Sequence, residues 1–297
     1  MSTAVPSTPP RKSQRKPNTL AITAVIVAAL IALFVAATQV YTNVLWFDQL
    51  GFSQVFYTQY LIKIAAFVVS AAIAAVCVWA SMRFAFKHGV QEPTFAGQGS
   101  SPNQRAGSAG VGSNDPFADF NQIFAQNMGR YRQSVENMRK VLLSVIPLVI
   151  GLFVGSGIAS QWDTIAMFFH QESFNQQDPE FGMDLGFFIF ALPFWNLVVT
   201  FLSTVVLLAA LAGAVMHYFY GGISVDEKGI HTSRPFRVHA AVLAACYLVL
   251  RGVQFWLERY NATQSQAGPW AGAMYTDVNA IIPIKSILAI AALLVAA

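Results

Sequence analysis

Residues Leu20 to Val40 form a stretch of 21 side chains without a single charge. A bilayer core about 30 Å thick needs roughly 20 apolar helical residues to cross it, so this stretch is long enough to span. The pattern recurs over residues 60–82, 141–160, 194–217, 238–257 and 281–297. In hydrocarbon every backbone N–H and C=O must find its partner inside the chain, and an α-helix does this segment by segment. The expected fold is therefore all-α, a polytopic transmembrane helix bundle with six candidate spans. The last run offers only 17 residues and contains Pro283 and Lys285, so it is expected to be a truncated span.

The charges agree with this reading. Charged residues are 11% of the chain against 55% hydrophobic. The net charge of +4 raises nucleic-acid binding as a possibility, but the basic residues are sorted by loop. Four precede the first span, seven lie between the second and third, and three follow the fourth; the stretches 41–59 and 161–186 hold none. Lys and Arg gather on the cytoplasmic side of membrane proteins. The expectation is a multi-pass plasma-membrane protein with a cytoplasmic N-terminus and no nucleic-acid partner.

Residues 1–19, rich in proline and basic side chains, are expected to be a disordered cytoplasmic tail ahead of a transmembrane domain over 20–297. The first apolar run exceeds the length of a secretory-signal core and is read as an anchor. Between the first two runs, Tyr41–Gln59 is expected to be a surface elbow, its Trp46, Phe47, Phe52, Phe56 and Tyr57 rings seated at the headgroup boundary. Residues 95–114, rich in Gly, Ser, Gln and Asn, read as a cytoplasmic linker. Asp115-Pro116 then resembles a helix start, and Phe117, Phe120, Phe124, Met128, Tyr131, Val135 and Met138 make one apolar stripe over 116–140. This amphipathic helix lies on the inner membrane surface or packs on the protein's own loops.

Gly151-x-x-x-Gly155, followed by Gly157, allows close helix approach within the bundle. Residues 217–237, with Gly221-Gly222 and alternating Ile223, Val225 and Ile230, suit a short β-hairpin.

Local catalytic signatures such as H-E-x-x-H, G-x-S-x-G and the Walker-type loop are absent. No catalytic, cofactor-binding or metal-ligating residue is assigned. The acids of 161–186 do not follow a calcium-loop spacing, and His170 with Glu172 lacks a third ligand. The five histidines, at loops and span ends, suit interfacial rings with one wet edge. Cys77 and Cys246 sit in apolar runs and read as reduced packing residues. Charges at membrane depth are then the main functional pointers. Lys63 and Lys285 lie near span ends and are expected to snorkel to water. Arg251 sits ~20 Å along its span, counted from Val238 at 1.5 Å per residue. Glu258, two turns on, is its natural partner, with Asp48 or Asp184 as others; the alternative is that Arg251 lines a polar path.

Four blocks together resemble a known family. They are Leu45-Trp46-Phe47-Asp48-Gln49-Leu50-Gly51-Phe52 with Val55-Phe56, the run Asp178–Phe190 (D-P-E-F-G-M-D-L-G-F-F-I-F) with Leu192-Pro193-Phe194, Gly221-Gly222-Ile223, and Trp256–Tyr260 (W-L-E-R-Y) followed by Gly272–Ala280 and Pro283. This resembles the membrane part of uncharacterised protein family 0182, large bacterial proteins with an extracytoplasmic region after their spans. The resemblance covers Tyr41 to the end and implies a seventh span and an outer region beyond Ala297. It marks Asp178, Asp184, Tyr275, Thr276 and Asp277 as the motif of the outer loops. It names no activity, so no catalytic residue transfers. The expected function is an anchor or scaffold for an extracytoplasmic part in envelope assembly, its partners the lipid bilayer and membrane or envelope proteins. A transporter or channel with a path near Arg251 is the alternative.

Overall fold

A computed structural model describes residues 19–89, 139–220, 222–226, 229–264 and 272–297. All but the last residue of the expected basic tail 1–19, the linker 95–114 and all but the last two residues of the amphipathic helix 116–140 lie outside them; Thr19 already belongs to the first helix. The helices are α1 (Thr19–Gln49), α2 (Ser53–Gly89), α3 (Arg139–Ala159), α4 (Trp162–Phe169), α5 (Leu192–Phe219), α6 (Arg234–Asn261) and α7 (Ile282–Ala296). Between α5 and α6, strands β1 (Ile223–Asp226) and β2 (Gly229–Thr232) pair antiparallel, with Ile223 opposite Thr232. Among the described residues the fold is all-helical apart from this small hairpin, and six of the helical segments there are long and apolar enough to cross a membrane.

The side chains show what surrounds these helices. Phe153 is 75% exposed, Leu294 72% and Phe34 72%, and apolar exposure runs along the length of every span. So much apolar surface belongs against hydrocarbon. Several hydroxyls within the spans are satisfied by their own helix. Thr38 donates to the Phe34 carbonyl, Ser70 to Ala66, Ser203 to Val199 and Ser286 to Ile282. Each of these four donors is thus spent one turn back.

Residues up to Tyr60 form one compact unit and Leu61–Ala297 another. In the first, the expected elbow is much shorter than the loop read from its polar residues. α1 runs on to Gln49 and α2 starts at Ser53, leaving a turn at Leu50-Gly51-Phe52. Thr42, Asn43 and Gln49 are compatible with helix once it leaves the hydrocarbon, so polarity did not mark a break. Gly51 takes φ 73°, a conformation that glycine adopts without steric cost. The Phe52 N–H returns to the Phe47 carbonyl at 2.9 Å, and Ser53 Oγ donates to Asp48 at 2.9 Å.

In the second unit, a core of Val78, Met82, Ala85, Ala209 and Met216 joins α2 to α5. α3 meets α2 through its small residues. A Cβ on Gly151 would lie 2.6 Å from the Ala71 carbonyl oxygen, and one on Gly155 would lie 2.8 Å from the Ala71 Cβ. The Gly-x-x-x-Gly face therefore packs within the chain. Gly252 of α6 plays the same part against Ala289 and Leu293 of α7.

Both α5 and α7 are entered through a wide π turn, Phe187–Ala191 and Asp277–Ile281. The Leu192 N–H reaches the Phe187 carbonyl and the Ile282 N–H reaches that of Asp277. Each turn ends two residues before a proline, Pro193 or Pro283. Proline has no N–H to bond and its ring crowds the carbonyl one turn back; a widened turn at that point relieves the crowding. A glycine with positive φ stands eleven residues before each proline, Gly182 at 64° and Gly272 at 131°.

Candidate functional site

Two polar clusters break the apolar packing, at opposite ends of α5. At the end where α5 and α7 begin and α6 finishes, the acidic loop 170–186 is fixed by its own carboxylates. Asp184 accepts from Ser173 Oγ (2.7 Å) and from the backbone N–H groups of Gly186 (2.7 Å), Asn175 (2.9 Å) and Phe174 (3.1 Å). The Ser173 hydroxyl leads the causes that hold this carboxyl below its ordinary pKa of 3.8, followed by the backbone donors. Asp178 Oδ1 takes the N–H groups of Glu180 and Phe181, closing a turn sealed by Gly182 N–H to the Asp178 carbonyl. These acids organise backbone. Among the described residues no three His, Cys, Asp or Glu side chains gather as metal ligands.

The loops flanking α6 and α7 are tied down in the same region. Asn196 donates to the Asn261 side chain at 3.2 Å, and Gln264 donates to the Phe188 carbonyl at 3.3 Å. Asp277 is buried and receives the Met274 N–H at 2.9 Å. Thr276 and Tyr275 beside it are exposed, Tyr275 at 81%.

The membrane-depth cations have partners that the sequence did not pair. The Lys285 ammonium donates to Glu258 across the α6–α7 seam, with 29% and 25% of the two side chains exposed. Glu258 is thereby taken, and Arg251 instead lies over the Phe255 ring at 4.9 Å. Lys285 lies 5.2 Å from the same ring. Phe255 thus serves two cations, an attraction the ring quadrupole provides without hydrogen bonds. Lys63 lies over Trp162 at 5.3 Å. Arg259, of the W-L-E-R-Y block, sits 4.1 Å from the Trp256 ring centre, 5.7 Å from Phe181 and 5.8 Å from Tyr260, a setting that the sequence reading missed.

At the other end, His217 of α5 is fully buried rather than interfacial. It joins a chain of polar groups across three helices. Ser81 Oγ of α2 donates to the Ala209 carbonyl of α5 at 2.6 Å. Its proton spent, Ser81 can only accept from His239 Nε2, 3.3 Å away on α6. A neutral His239 protonated at Nε2 offers a lone pair at Nδ1, which faces His217 Nε2 at 3.3 Å. The tautomers follow from this order of donors. His217 Nδ1 has no hydrogen-bond partner among the described residues. Gly213 makes the cluster possible, since a Cβ there would lie 2.5 Å from Ser81 Oγ.

The family described as Uncharacterised protein family (UPF0182) matches residues 20–297. A UPF0182 protein of Kocuria rhizophila is 45% identical over 296 residues, covering 98% of this chain and 27% of that relative. One from Arthrobacter sp. (strain FB24) is 40% identical, covering 100% of this chain and 27% of its own length. One from Micrococcus luteus is 40% identical over 280 residues, 94% of this chain and 24% of the relative. The chain thus spans about a quarter of the length of these curated relatives. No solved structure matches it.

Proposed function

Because the chain belongs to the uncharacterised protein family UPF0182, we propose that its helices are the membrane platform on which a larger extracytoplasmic part is held and oriented. The observation that carries this reading is the cross-tying of one end of the bundle. There α5, α6 and α7 are joined by Asn196–Asn261, Gln264–Phe188 and Glu258–Lys285, beneath a loop locked by Asp178 and Asp184. A rigid rim of this kind transmits orientation to whatever is attached above it. The relatives are long enough to carry such a part, since this chain covers 27% of the first two. The setting is the plasma membrane, with the N-terminus inside and the acidic loop outside, in the assembly of the cell envelope. Its partners there are the lipid bilayer and other membrane or envelope proteins. What weighs against a transport path at Arg251 is that its guanidinium rests on Phe255 and the flanking α6 positions are mostly apolar.

Sidedness is tested in a background with Cys77 and Cys246 replaced by serine. Glu180→Cys is expected to react with a membrane-impermeant maleimide in intact cells, and Ser100→Cys only after permeabilisation. The reverse pattern rejects the orientation. Arg251→Leu is expected to lower membrane abundance; normal abundance with abolished solute flux would favour transport instead.

A further inference from the structure

We propose that Arg259 and the rings around it form a binding site for a single phosphate-type anion at the membrane boundary. The guanidinium is held by faces, not by acceptors. Trp256, one turn back on α6, lies 4.1 Å from it; Tyr260 is the next residue; Phe181 comes from the separate acidic loop at 5.7 Å. Phe181 is itself seated against Tyr260, with ring centres 4.7 Å apart. This orients the guanidinium without using up its N–H donors, because an aromatic face accepts no ordinary hydrogen bond, and among the described residues no acceptor is seen to take one. Nε is buried and without a hydrogen-bond partner. Arg259 as a whole is only partly buried, so its fork is open to a ligand.

The carboxylates nearby are committed elsewhere. Glu258 takes Lys285, Asp184 and Asp178 hold the loop backbone, and Asp277 takes the Met274 N–H. Among the described residues Glu180, adjacent to Phe181, makes no ion pair, and Glu258–Lys285 is the one salt bridge. An arginine half-buried among rings with no anion is costly to maintain. A planar fork that pairs two oxygens at once suits phosphate, and arginine does this better than lysine. The position fits the source: Arg259 stands five residues before the end of the span 234–264, at the depth where aromatic belts and lipid phosphates meet. A lipid headgroup and free phosphate share this chemistry, and the experiment separates them.

The full chain, purified in detergent, is examined by native mass spectrometry with phosphatidylglycerol, with diacylglycerol of the same acyl chains, and with inorganic phosphate. The wild type is expected to retain one phosphatidylglycerol that diacylglycerol does not replace. Arg259→Leu should weaken retention by about tenfold or more and Arg259→Lys by several-fold, since lysine keeps the charge and loses the fork. Displacement by inorganic phosphate assigns the site to the free anion; resistance to it assigns the site to the lipid headgroup. Should Arg259→Leu fail to fold, Phe181→Leu removes one wall of the cage with the arginine kept, and retention should again drop. Equal retention by wild type, Arg259→Lys and Phe181→Leu overturns the proposal.

Discussion

His217 donates from Nε2 to Nδ1 of His239 across 3.3 Å, and the direction of that bond is set one link further on by Ser81. The Ser81 hydroxyl has a single proton and gives it to the Ala209 carbonyl. Both rings, in their neutral forms, therefore carry hydrogen on Nε2. Nitrogen-15 spectra of histidine-labelled protein should show the Nε2–H tautomer for His217 and His239. An Nδ1–H signal for His239 would contradict the arrangement. Ser81→Ala leaves the His239 donor without its acceptor in a buried site, at an expected cost of about 1–3 kcal/mol, read by thermal denaturation in detergent.

Two glycines on one helix should respond oppositely to the same change. Gly155→Ala drives a methyl to 2.8 Å of the Ala71 Cβ and 3.0 Å of the Phe67 carbonyl, so α2 and α3 must part. A Cβ on Gly157 meets nothing within 4 Å. Gly155→Ala should lower the melting temperature, whereas Gly157→Ala should leave it unchanged or raise it, by up to about 1 kcal/mol in stability. Equal effects would mean that α3 does not pack on α2 as described.

Glu258 and Lys285 should behave as a unit. Removing either one leaves the other charged in a mainly apolar seam, so Glu258→Gln and Lys285→Met should each destabilise by about 1–3 kcal/mol. The double variant should cost less than the sum of the two. Additive losses in the cycle would show that the residues act separately.

Asp184 makes the acidic loop sensitive to acid. Its folded-state pKa lies below the ordinary 3.8, because Ser173 and then the Gly186, Phe174 and Asn175 N–H groups favour the carboxylate. A depressed carboxyl contributes stability that is complete above its unfolded value and is lost as pH falls through the folded one. Amide exchange at Phe174, Asn175 and Gly186, corrected for intrinsic rate, should therefore accelerate only below pH 3.8. Asp184→Asn should exchange faster already at neutral pH and lose the acid step. Unchanged protection in that variant would remove Asp184 from its role in the loop.

The spans were legible because lipid imposes a coarse requirement: length and absence of charge suffice to find α1 to α3 and α5 to α7. Gly151-x-x-x-Gly155 was legible for a similar reason, since close approach needs small residues at one-turn spacing. The helix ends of the 41–59 stretch were not, because polar side chains outside hydrocarbon do not stop a helix. The histidine cluster was hidden by distance along the chain: Ser81 and His239 are 158 positions apart, and each looks like an isolated polar residue. Helical spacing alone pairs Arg251 with Glu258. Lys285 on a neighbouring helix takes that carboxylate, and spacing within one helix carries no word of a competitor on another.

The wide turns ahead of Pro193 and Pro283 constrain the gene as well as the backbone. Each holds one more residue than an ordinary helical turn. Loss of a single codon inside Phe187–Ala191 or Asp277–Ile281 would convert wide to normal and leave the azimuth of everything downstream nearly unchanged, because the wide turn already takes up the extra residue. Its cost would be the room made for Pro193 or Pro283, whose ring would then crowd the carbonyl one turn back. A codon lost after the wide turn, between Pro193 and Val199, meets no such slack and would carry Val199, Val205 and Ala209, which now face inward, around by about 100°.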